Sequence, residues 1–311
     1  MIIRSENMKI VVIGAGAMGS IYGSHLAKHN KVYLIDTNPD IVETINTKGL
    51  KLQENGKDVL YRPNAVCSSK EIGKADLVIL FVKALYSAAA IESNKNIIGK
   101  DTYLMTLQNG SGHEDIMIKA APLDHIIIGT TEDNGAVLEA GYVRHGGTGR
   151  TNIGMLAEDK TGMLEKVKNV FDACGFDTVI RSNIQQLIWD KLLTNVSLSA
   201  TTGILQVKMG FIAEDANAWD LTKALIKEAL SVATAMGLDF NEAEITERVR
   251  KTAENNPEGC TSIYMDLKNG RRTEVDTISG SVVRSAEKYG VKVPTHKAIV
   301  NIVHAMEQKN K

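Results

Sequence analysis

Three glycines stand at fixed spacing directly after a short apolar run near the start of the chain, residues 9–13. The glycines are Gly14, Gly16 and Gly19. In this pattern the first glycine permits a sharp turn from strand to helix, the second lets backbone N–H groups approach a pyrophosphate, and the third allows close packing. With Ala17 and Met18 in the same turn, they predict a dinucleotide site whose phosphates face the N-terminus of the helix that follows.

Asp36 closes a second apolar run, residues 32–35. A carboxylate at this position accepts hydrogen bonds from the 2′-hydroxyl of the NAD ribose and repels the 2′-phosphate of NADP. The two residues that follow Asp36 bring no positive charge. We therefore expect NAD as the cofactor, with NADH preferred over NADPH. The alternative is that Asp36 only caps the helix that begins at Pro39.

Lys191 lies in a strongly apolar helical stretch in the second half of the chain. One stripe of this helix, at spacings of three and four residues, consists of Ile184, Leu187, Ile188, Lys191, Asn195 and Ser199. Because other sides of the helix are also apolar, we expect it to be buried. Desolvation lowers the pKa of a lysine, so Lys191 is a candidate proton donor for reduction of a ketone by hydride. The alternative is a structural lysine in a salt bridge, for which Glu274 is a candidate partner.

Three further polar residues stand at the ends of predicted elements. Asn109 follows a strand and is either a turn residue or a polar contact for cofactor and substrate. Lys83 also ends a strand, and it either lies near the cofactor or is a solvated residue at the start of a helix. Glu274 precedes a helix, where an acidic residue commonly serves only to favour the helix N-terminus.

The elements that position these residues follow a plan of two parts. Up to about residue 181, short β-rich runs alternate with helical stretches, which indicates a parallel sheet covered by helices. Beyond that point strands almost vanish. The sequence therefore predicts an α/β protein, with an N-terminal Rossmann-type doubly wound sheet in residues 1–181 and a C-terminal all-helical domain in residues 182–311.

The individual elements are predicted from periodicity and from turn residues. The strands are expected at 9–13, 31–35, 76–82, 102–107, 125–129, 151–155 and 176–180. The helices are expected at 20–29, 184–203, 214–236, 240–255, 261–268, 275–289 and 295–309. Asn55-Gly56 predicts a hairpin within residues 50–61, and Ala140-Gly141 predicts a second hairpin near the end of the sheet.

Composition excludes several classes of function. The 311 residues carry a formal net charge of −1, and no basic block predicts binding to nucleic acid. No apolar run suits a signal peptide or a membrane span, so we expect a cytoplasmic protein with no membrane partner. Seven histidines show no spacing typical of metal ligands, so no metal is expected and the histidines are assigned to the surface. The three cysteines are widely spaced, which fits a reducing compartment. The helical domain is a candidate for homodimer formation.

The same residues lie in segments that resemble one family from end to end. These segments are Gly14 to Gly19, Val82-Lys83-Ala84, Leu107-Gln108-Asn109-Gly110, Gly129-Thr130-Thr131, Trp189-Asp190-Lys191-Leu192 with Asn195, Thr261-Ser262, and Arg272-Thr273-Glu274-Val275-Asp276. Together they resemble the ketopantoate reductases. The resemblance implies reduction of 2-dehydropantoate, a small 2-oxo acid, to pantoate by transfer of hydride to the C2 ketone.

The resemblance also implies roles for individual residues. Lys191 would be the general acid, and Glu274 would orient the lysine and the hydroxyl of the substrate. Lys83 would lie beside the cofactor. The substrate would be held by Asn109, Asn195 and Ser262.

The sequence departs from the family pattern in three places. Ser199 replaces the second asparagine that usually follows one turn after Asn195, and as the residue at that position it becomes a further candidate substrate contact. Asp36 favours NADH, whereas the family commonly prefers NADPH. The stretch from Glu132 to Gly135 is more acidic than the pattern predicts. Two alternatives therefore stand beside ketopantoate reductase: another dehydrogenase of small 2-oxo or hydroxy acids, and a dinucleotide sensor without chemistry.

Overall fold

A computed structural model describes residues 7–309 of the protein. The chain divides into two compact units. Unit 1 contains the described residues up to Gln108 together with His113–Ile184, and unit 2 contains Asn109–Gly112 together with the residues from Gln185 onward. The predicted fold class is confirmed, because unit 1 is built on a largely parallel sheet and the described part of unit 2 is helical.

Unit 1 contains twelve strands among its described residues. They are β1 Lys9–Ile13, β2 Lys31–Ile35, β3 Leu50–Glu54, β4 Lys57–Tyr61, β5 Asn64–Val66, β6 Leu77–Leu80, β7 Tyr103–Thr106, β8 Ile126–Thr131, β9 Asn134–Glu139, β10 Tyr142–Gly147, β11 Arg150–Met155 and β12 Asp177–Ile180. The strand β5 was not predicted, because three residues carry too short a pattern to be recognised.

The main sheet has eight strands in the order β12-β11-β8-β7-β6-β1-β2-β5. All neighbouring pairs are parallel except β8 and β11. The central strands are apolar runs because both faces of a parallel sheet are covered, and all four residues of β6 are buried. Since β1 lies between β2 and β6, the carboxyl ends of these three strands meet at one edge.

Both predicted hairpins are present, but the second one does not lie at the end of the main sheet as expected. The two hairpins instead form a separate sheet of four strands in the order β4-β3-β10-β9. The strands β3 and β10 join the hairpins by parallel pairing. This pairing depends on contacts between residues distant in the chain, which local periodicity does not reveal.

The helices of unit 1 are short. They are α1 Ala17–Leu26, α2 Pro39–Lys48, α3 Ser87–Ser93, α4 Glu114–Met117 and α5 Met163–Ala173, with 3₁₀ turns at Ala84–Tyr86, Lys95–Ile97 and Leu123–His125. The helix α1 begins three residues earlier than predicted, directly after the glycine turn. It packs against the second sheet, since a Cβ on Gly135 of β9 would lie 2.5 Å from Ile21 Cδ1.

Unit 2 is built from helices. They are α6 Ile184–Thr194, α7 Ala200–Leu205, α8 Met209–Glu214, α9 Ala216–Ala235, α10 Glu242–Asn255, α11 Ser262–Lys268, α12 Ser279–Tyr289 and α13 Pro294–Lys309. Helix α8 was not predicted separately, and α12 begins four residues later than expected. Trp189 of α6 is fully buried in the core of this unit.

The predicted helix over 184–203 is interrupted by a wider turn. Residues Asn195–Ser199 form a π-helical turn between α6 and α7. A π-helix bonds residue i to i+5, so it places one extra residue in the turn and shifts the face on which later residues lie.

Several histidines are not at the surface, and this part of the sequence-based expectation is wrong. His296 is fully buried, and the side chains of His25 and His145 are 13% and 5% exposed. Among residues 7–309, no helix combines the length and the apolar character needed to cross a lipid bilayer.

Candidate active site

The three glycines of the first turn meet three different spatial demands. Gly14 has φ +103°, and a Cβ there would lie 2.9 Å from the backbone carbon of Phe81. A Cβ on Gly19 would lie 1.8 Å from the carbonyl oxygen of Gly14. At Gly16, in contrast, a Cβ would meet no atom within 4 Å. The turn thus leaves open space at the one glycine that the predicted pyrophosphate would approach.

The N-terminus of α1 offers donors to that open space. Its N-cap residue, Gly16, has no side chain that could satisfy the first N–H groups of the helix. The backbone N–H groups of Ala17 and Met18 point out of the helix at this end, as the first groups of every helix do. Together with the helix dipole they suit the phosphates of a dinucleotide, so the residues present fit this cofactor.

Asp36 is tied to the glycine turn. Its Oδ2 accepts a hydrogen bond from the N–H of Ala15 at 2.9 Å, and its Oδ1 accepts one from the N–H of Asn38 at 3.0 Å. The N-cap of α2 is Asn38, which bonds to the N–H of Asp40. The alternative that Asp36 is the cap of α2 is therefore wrong. Each carboxylate oxygen has a second lone pair, so Asp36 can still accept from a ribose hydroxyl.

A cavity of about 360 Å³ opens beside Asp36. It is lined at the ends of β1, β2 and β6, and sequence reasoning missed the part contributed by Ser68, Tyr86 and Ala90. None of the residues described as lining it carries a positive charge. A cavity of this size and mixed polarity suits the adenosine half of a dinucleotide.

Lys83 lies shortly after the end of β6, on a segment that approaches the glycine turn. The segment Phe81-Val82 contacts Gly14, and Lys83 follows it as the N-cap of the 3₁₀ turn Ala84–Tyr86. Its side chain is exposed. The structure thus places Lys83 at the edge of the sheet where the cofactor residues lie.

In unit 2, the segment that carries Asn109 packs on the segment that carries Glu274. A Cβ on Gly110 would lie 2.2 Å from the carbonyl oxygen of Thr277, and the N–H of Ser111 donates to that same oxygen at 3.0 Å. The carbonyl of Glu274 in turn accepts from the N–H of Thr277 at 3.1 Å. The segments that carry Asn109 and Glu274 are far apart in the sequence, and they therefore pack directly against each other in the fold.

The loop around Glu274 is anchored by α13. Glu307 Oε1 accepts hydrogen bonds from the backbone and hydroxyl of Thr273, and His304 Nε2 lies 3.0 Å from Asp276 Oδ1. Burial opposes ionisation of Glu307, but the hydrogen bonds from Thr273 and His304 outweigh it and lower the pKa of this carboxyl. Glu274 itself is half-buried between these two anchors.

Lys191 lies on an exposed side of α6, whereas the sequence predicts a buried helix that is apolar around most of its circumference. Leu192 and Leu193 are buried, but the side chain of Lys191 is exposed. The residue before Lys191 connects α6 to α10, because Arg248 of α10 donates to Asp190 Oδ1 at 2.7 Å and to the Asp190 carbonyl oxygen at 3.0 Å. The sequence analysis missed this contact of Arg248 with the residue next to Lys191.

The remaining candidates lie around the π-helical turn. Asn195 is half-buried and Ser199 is buried. Helix α7 packs on the start of α11, where a Cβ on Gly203 would lie 2.4 Å from Ile263 Cγ2. Ser262, the first residue of α11, is exposed. The candidates of unit 2 thus range from exposed to buried along one packed group of helices.

The doubly wound sheet and the glycine turn define a protein of the dinucleotide-binding class. Comparison with known families narrows this class. The family model described as ketopantoate reductase PanE/ApbA matches residues 10–158, and its C-terminal model matches residues 183–307. The chain belongs to this family and is an NAD(P)-dependent oxidoreductase that acts on a CH–OH group.

Individual relatives match over nearly their whole length. A 2-dehydropantoate 2-reductase of Pyrococcus abyssi is 32% identical, with 96% of this chain and 98% of that protein covered. A ternary structure of D-mandelate dehydrogenase with NADH and anilino(oxo)acetate has a TM-score of 0.88 at 31% identity, covering 97% and 99% of the two chains. A PanE/ApbA family ketopantoate reductase from Ralstonia eutropha has a TM-score of 0.87 at 26% identity, with the same coverage.

Proposed function

We propose that the protein is a 2-dehydropantoate 2-reductase that reduces ketopantoate to pantoate, in the biosynthesis of pantothenate and coenzyme A, with NADH as the preferred reductant. The observation that carries the proposal is the packing of the Asn109 segment on the Glu274 segment in unit 2. These are two of the segments by which the sequence resembles ketopantoate reductases, and the fold brings them together.

The reduced nicotinamide supplies hydride to C2 of the oxo acid when it is bound. The residues of the chain then have to bind the carboxylate, orient the ketone and deliver one proton to the ketone oxygen. We assign the proton to the Lys191 ammonium, because a cation near the developing alkoxide stabilises its charge. Glu274 orients Lys191 and the substrate hydroxyl in this proposal. Asn109, Asn195, Ser199 and Ser262 provide neutral hydrogen-bonding groups for the rest of the substrate.

The preference for NADH rests on Asp36. Its carboxylate is half-buried at the wall of the 360 Å³ cavity and is held by the backbone of the glycine turn. A 2′-phosphate would bring two negative groups together there, and the described lining offers no cation to offset them.

A second candidate function is reduction of a different 2-oxo acid. The structural similarity to D-mandelate dehydrogenase at 31% identity supports it, as does Ser199, which is shorter than the asparagine of the family pattern. A sensor without chemistry is the third alternative, and an enzymatic assay separates it from the other two. A cytoplasmic location is part of the proposal, supported by the free thiols of Cys67, Cys174 and Cys260. Homodimer formation stays a prediction from the sequence.

The test is a steady-state assay with two substrates and two reduced cofactors. Ketopantoate and phenylglyoxylate, the 2-oxo acid that corresponds to mandelate, are each assayed with NADH and with NADPH. We expect the highest kcat/KM for ketopantoate with NADH. A higher value with phenylglyoxylate would favour the second function, and a higher value with NADPH would contradict the role of Asp36. A lack of turnover across a panel of further small 2-oxo acids would favour the sensor.

A further inference from the structure

A group of metal-ligating side chains lies in unit 1, away from the carboxyl ends of β1 and β2. We call His25, Glu54 and His145 the histidine–glutamate cluster. His25 Nε2 lies 2.6 Å from Glu54 Oε1, and His145 Nδ1 lies 3.0 Å from the same oxygen. All three ligand atoms are within 4.8 Å of one another. His25 is near the C-terminal end of α1, whereas the glycine turn precedes the N-terminal end of that helix.

We propose that the histidine–glutamate cluster is a binding site for one divalent transition-metal ion, such as Zn²⁺. Two imidazole nitrogens and one carboxylate oxygen form a ligand set that suits zinc, with a fourth position left for water. This proposal departs from the expectation of no metal, because the three residues are far apart in the sequence and no spacing rule connects them.

The fold brings the ligands together through strand register and helix packing. Glu54 of β3 and His145 of β10 are direct partners in the parallel pair that joins the two hairpins. Helix α1 packs against the same sheet and supplies His25 from above it. Because the ligands come from three regular elements, their positions are defined by the sheet and the helix rather than by a mobile loop.

Each ligand is also held by a second partner, as ligands at metal sites usually are. His145 Nε2 lies 3.0 Å from Asp133 Oδ1, which forms the carboxylate–histidine pair found behind many zinc ligands. His25 Nδ1 lies 3.2 Å from the carbonyl oxygen of Cys174, to which it can donate when Nε2 is the metal ligand. Tyr61 donates its hydroxyl to Glu54 Oε2 at 3.0 Å.

The pattern of donors and acceptors requires positive charge inside the cluster. His145 stands between two carboxylates, and a neutral imidazole can donate to only one of them. Both rings face Glu54 Oε1, so the metal-free cluster needs a proton on each of the two facing nitrogens. A divalent cation would bind all three atoms at once: His145 would release its Nδ1 proton and keep the proton on Nε2 towards Asp133, and His25 would carry its proton on Nδ1 towards the carbonyl oxygen of Cys174.

Binding of a zinc ion would require only small movements of the three ligand side chains. With Zn–N and Zn–O distances of about 2.0–2.2 Å, tetrahedral ligand atoms lie about 3.3 Å apart. The two contacts with Glu54 Oε1 are 2.6 Å and 3.0 Å, so the side chains must separate by a few tenths of an ångström. The cluster faces a polar cavity of about 710 Å³ through which an ion and its water could enter.

The acidic stretch from Glu132 to Gly135 has a place in this arrangement. The side chain of Asp133 is only 3% exposed. It accepts hydrogen bonds from Tyr22 and Thr131 as well as facing His145. A buried carboxylate with this many donors is oriented firmly, which is what the partner of a metal-bound histidine requires.

The test uses the full chain and Zn²⁺ alone. Protein treated with a chelator is dialysed against micromolar Zn²⁺, and the bound metal is measured by elemental analysis. We expect one site in the wild type that depends on the cluster. His145→Gln and Glu54→Gln should each weaken binding at this site by about 100-fold or more, since loss of a second partner such as Tyr61 alone costs about 10-fold to 100-fold. His29→Gln, an exposed histidine just beyond α1, is the matched control and should bind as the wild type does.

Two further measurements keep the proposal open to contradiction. Circular dichroism of each metal-free variant checks that it is folded, and Zn²⁺ should raise the unfolding temperature of the wild type but not of the variants. Cys67→Ser with Cys260→Ser removes the two exposed thiols and should leave binding intact. The proposal is overturned if the wild type takes up no Zn²⁺, if folded His145→Gln and Glu54→Gln retain full uptake, or if removal of the thiols abolishes it.

Discussion

Glu307 of α13 accepts two hydrogen bonds from Thr273, one from the backbone N–H and one from the hydroxyl, both at 2.7 Å. Both residues are buried, and Thr273 is the residue directly before Glu274. The contact therefore determines the path of the backbone into the candidate site. Glu307 touches none of the proposed reacting groups and is a positioning residue.

Glu307→Ala should destabilise unit 2 and impair turnover. A buried N–H left without an acceptor costs about 1–3 kcal/mol, so the free energy of unfolding in urea should fall by about 2 kcal/mol. The folded variant should also lose kcat more than it raises KM. Glu307→Gln keeps an acceptor oxygen and should recover most of the stability and the kcat. If Glu307→Ala kept the wild-type kcat at a temperature where it is folded, the positioning role would be lost.

Lys191→Ala should reduce turnover by about 10²-fold or more, because the proton donor at the ketone oxygen is removed. The dissociation constant of NADH, measured by fluorescence titration, should change little. Lys223→Ala is a suitable control, since Lys223 is an exposed lysine of unit 2 paired with Asp220. Equal turnover in Lys191→Ala and Lys223→Ala would refute the assignment of Lys191 as general acid.

Asp36→Asn should narrow the preference for NADH over NADPH. The neutral amide keeps one carbonyl oxygen for backbone N–H groups but removes the charge that repels a 2′-phosphate. Hydrogen bonds to charged groups contribute about 1.5–3 kcal/mol, so the ratio of kcat/KM between the two cofactors should fall by about 10-fold to 100-fold. A ratio that does not move would show that Asp36 does not face the ribose.

Alanine at Gly16 and at Gly19 should have different consequences. A Cβ at Gly19 overlaps the carbonyl of Gly14, so Gly19→Ala should destabilise unit 1 by about 1–3 kcal/mol or more. Gly16→Ala meets open space, so this variant should fold normally and bind NADH more weakly. Thermal unfolding and NADH titration of the two variants check the distinction; normal NADH binding by Gly16→Ala would place the pyrophosphate elsewhere.

The two histidines of α13, His296 and His304, should make the free energy of unfolding depend on pH in opposite directions. Burial opposes protonation of His304, but contacts with Glu307 and Asp276 outweigh it and raise its pKa above the ordinary 6.5. The stabilisation by His304 is thus complete below pH 6.5 and is lost as the pH rises through the raised pKa. The free-energy difference between the wild type and His304→Gln should shrink over that range.

His296 should behave in the reverse sense. Its burial lowers its pKa below 6.5, so its contribution is complete above that pH and is lost as the pH falls towards the lowered pKa. Urea unfolding of the wild type, His296→Gln and His304→Gln at a series of pH values measures both effects. Parallel curves for all three proteins would contradict these assignments.

Local patterns predicted much of the fold and of the cofactor site. The glycine turn, Asp36 at the end of β2 and the Asn55-Gly56 hairpin all depend on neighbours within a few residues, where steric rules are strict. The apolar runs of the sheet and the long helices of unit 2 were recognised for the same reason. The errors fall on short elements such as β5 and α8, whose patterns are too brief to be distinguished.

The sequence by itself determined the α/β class, the glycine turn and the family. The class and the turn depend on residues that are close together in the chain, and the family is recognised from a set of short matching segments. Only the tertiary structure decided that the two hairpins share a sheet, that α6 continues through a π-helical turn, and that His25, Glu54 and His145 meet. These features arise from pairing and packing between distant residues. Their stability depends on the register between strands and on how whole helices and sheets pack, and local sequence patterns do not reveal either of these.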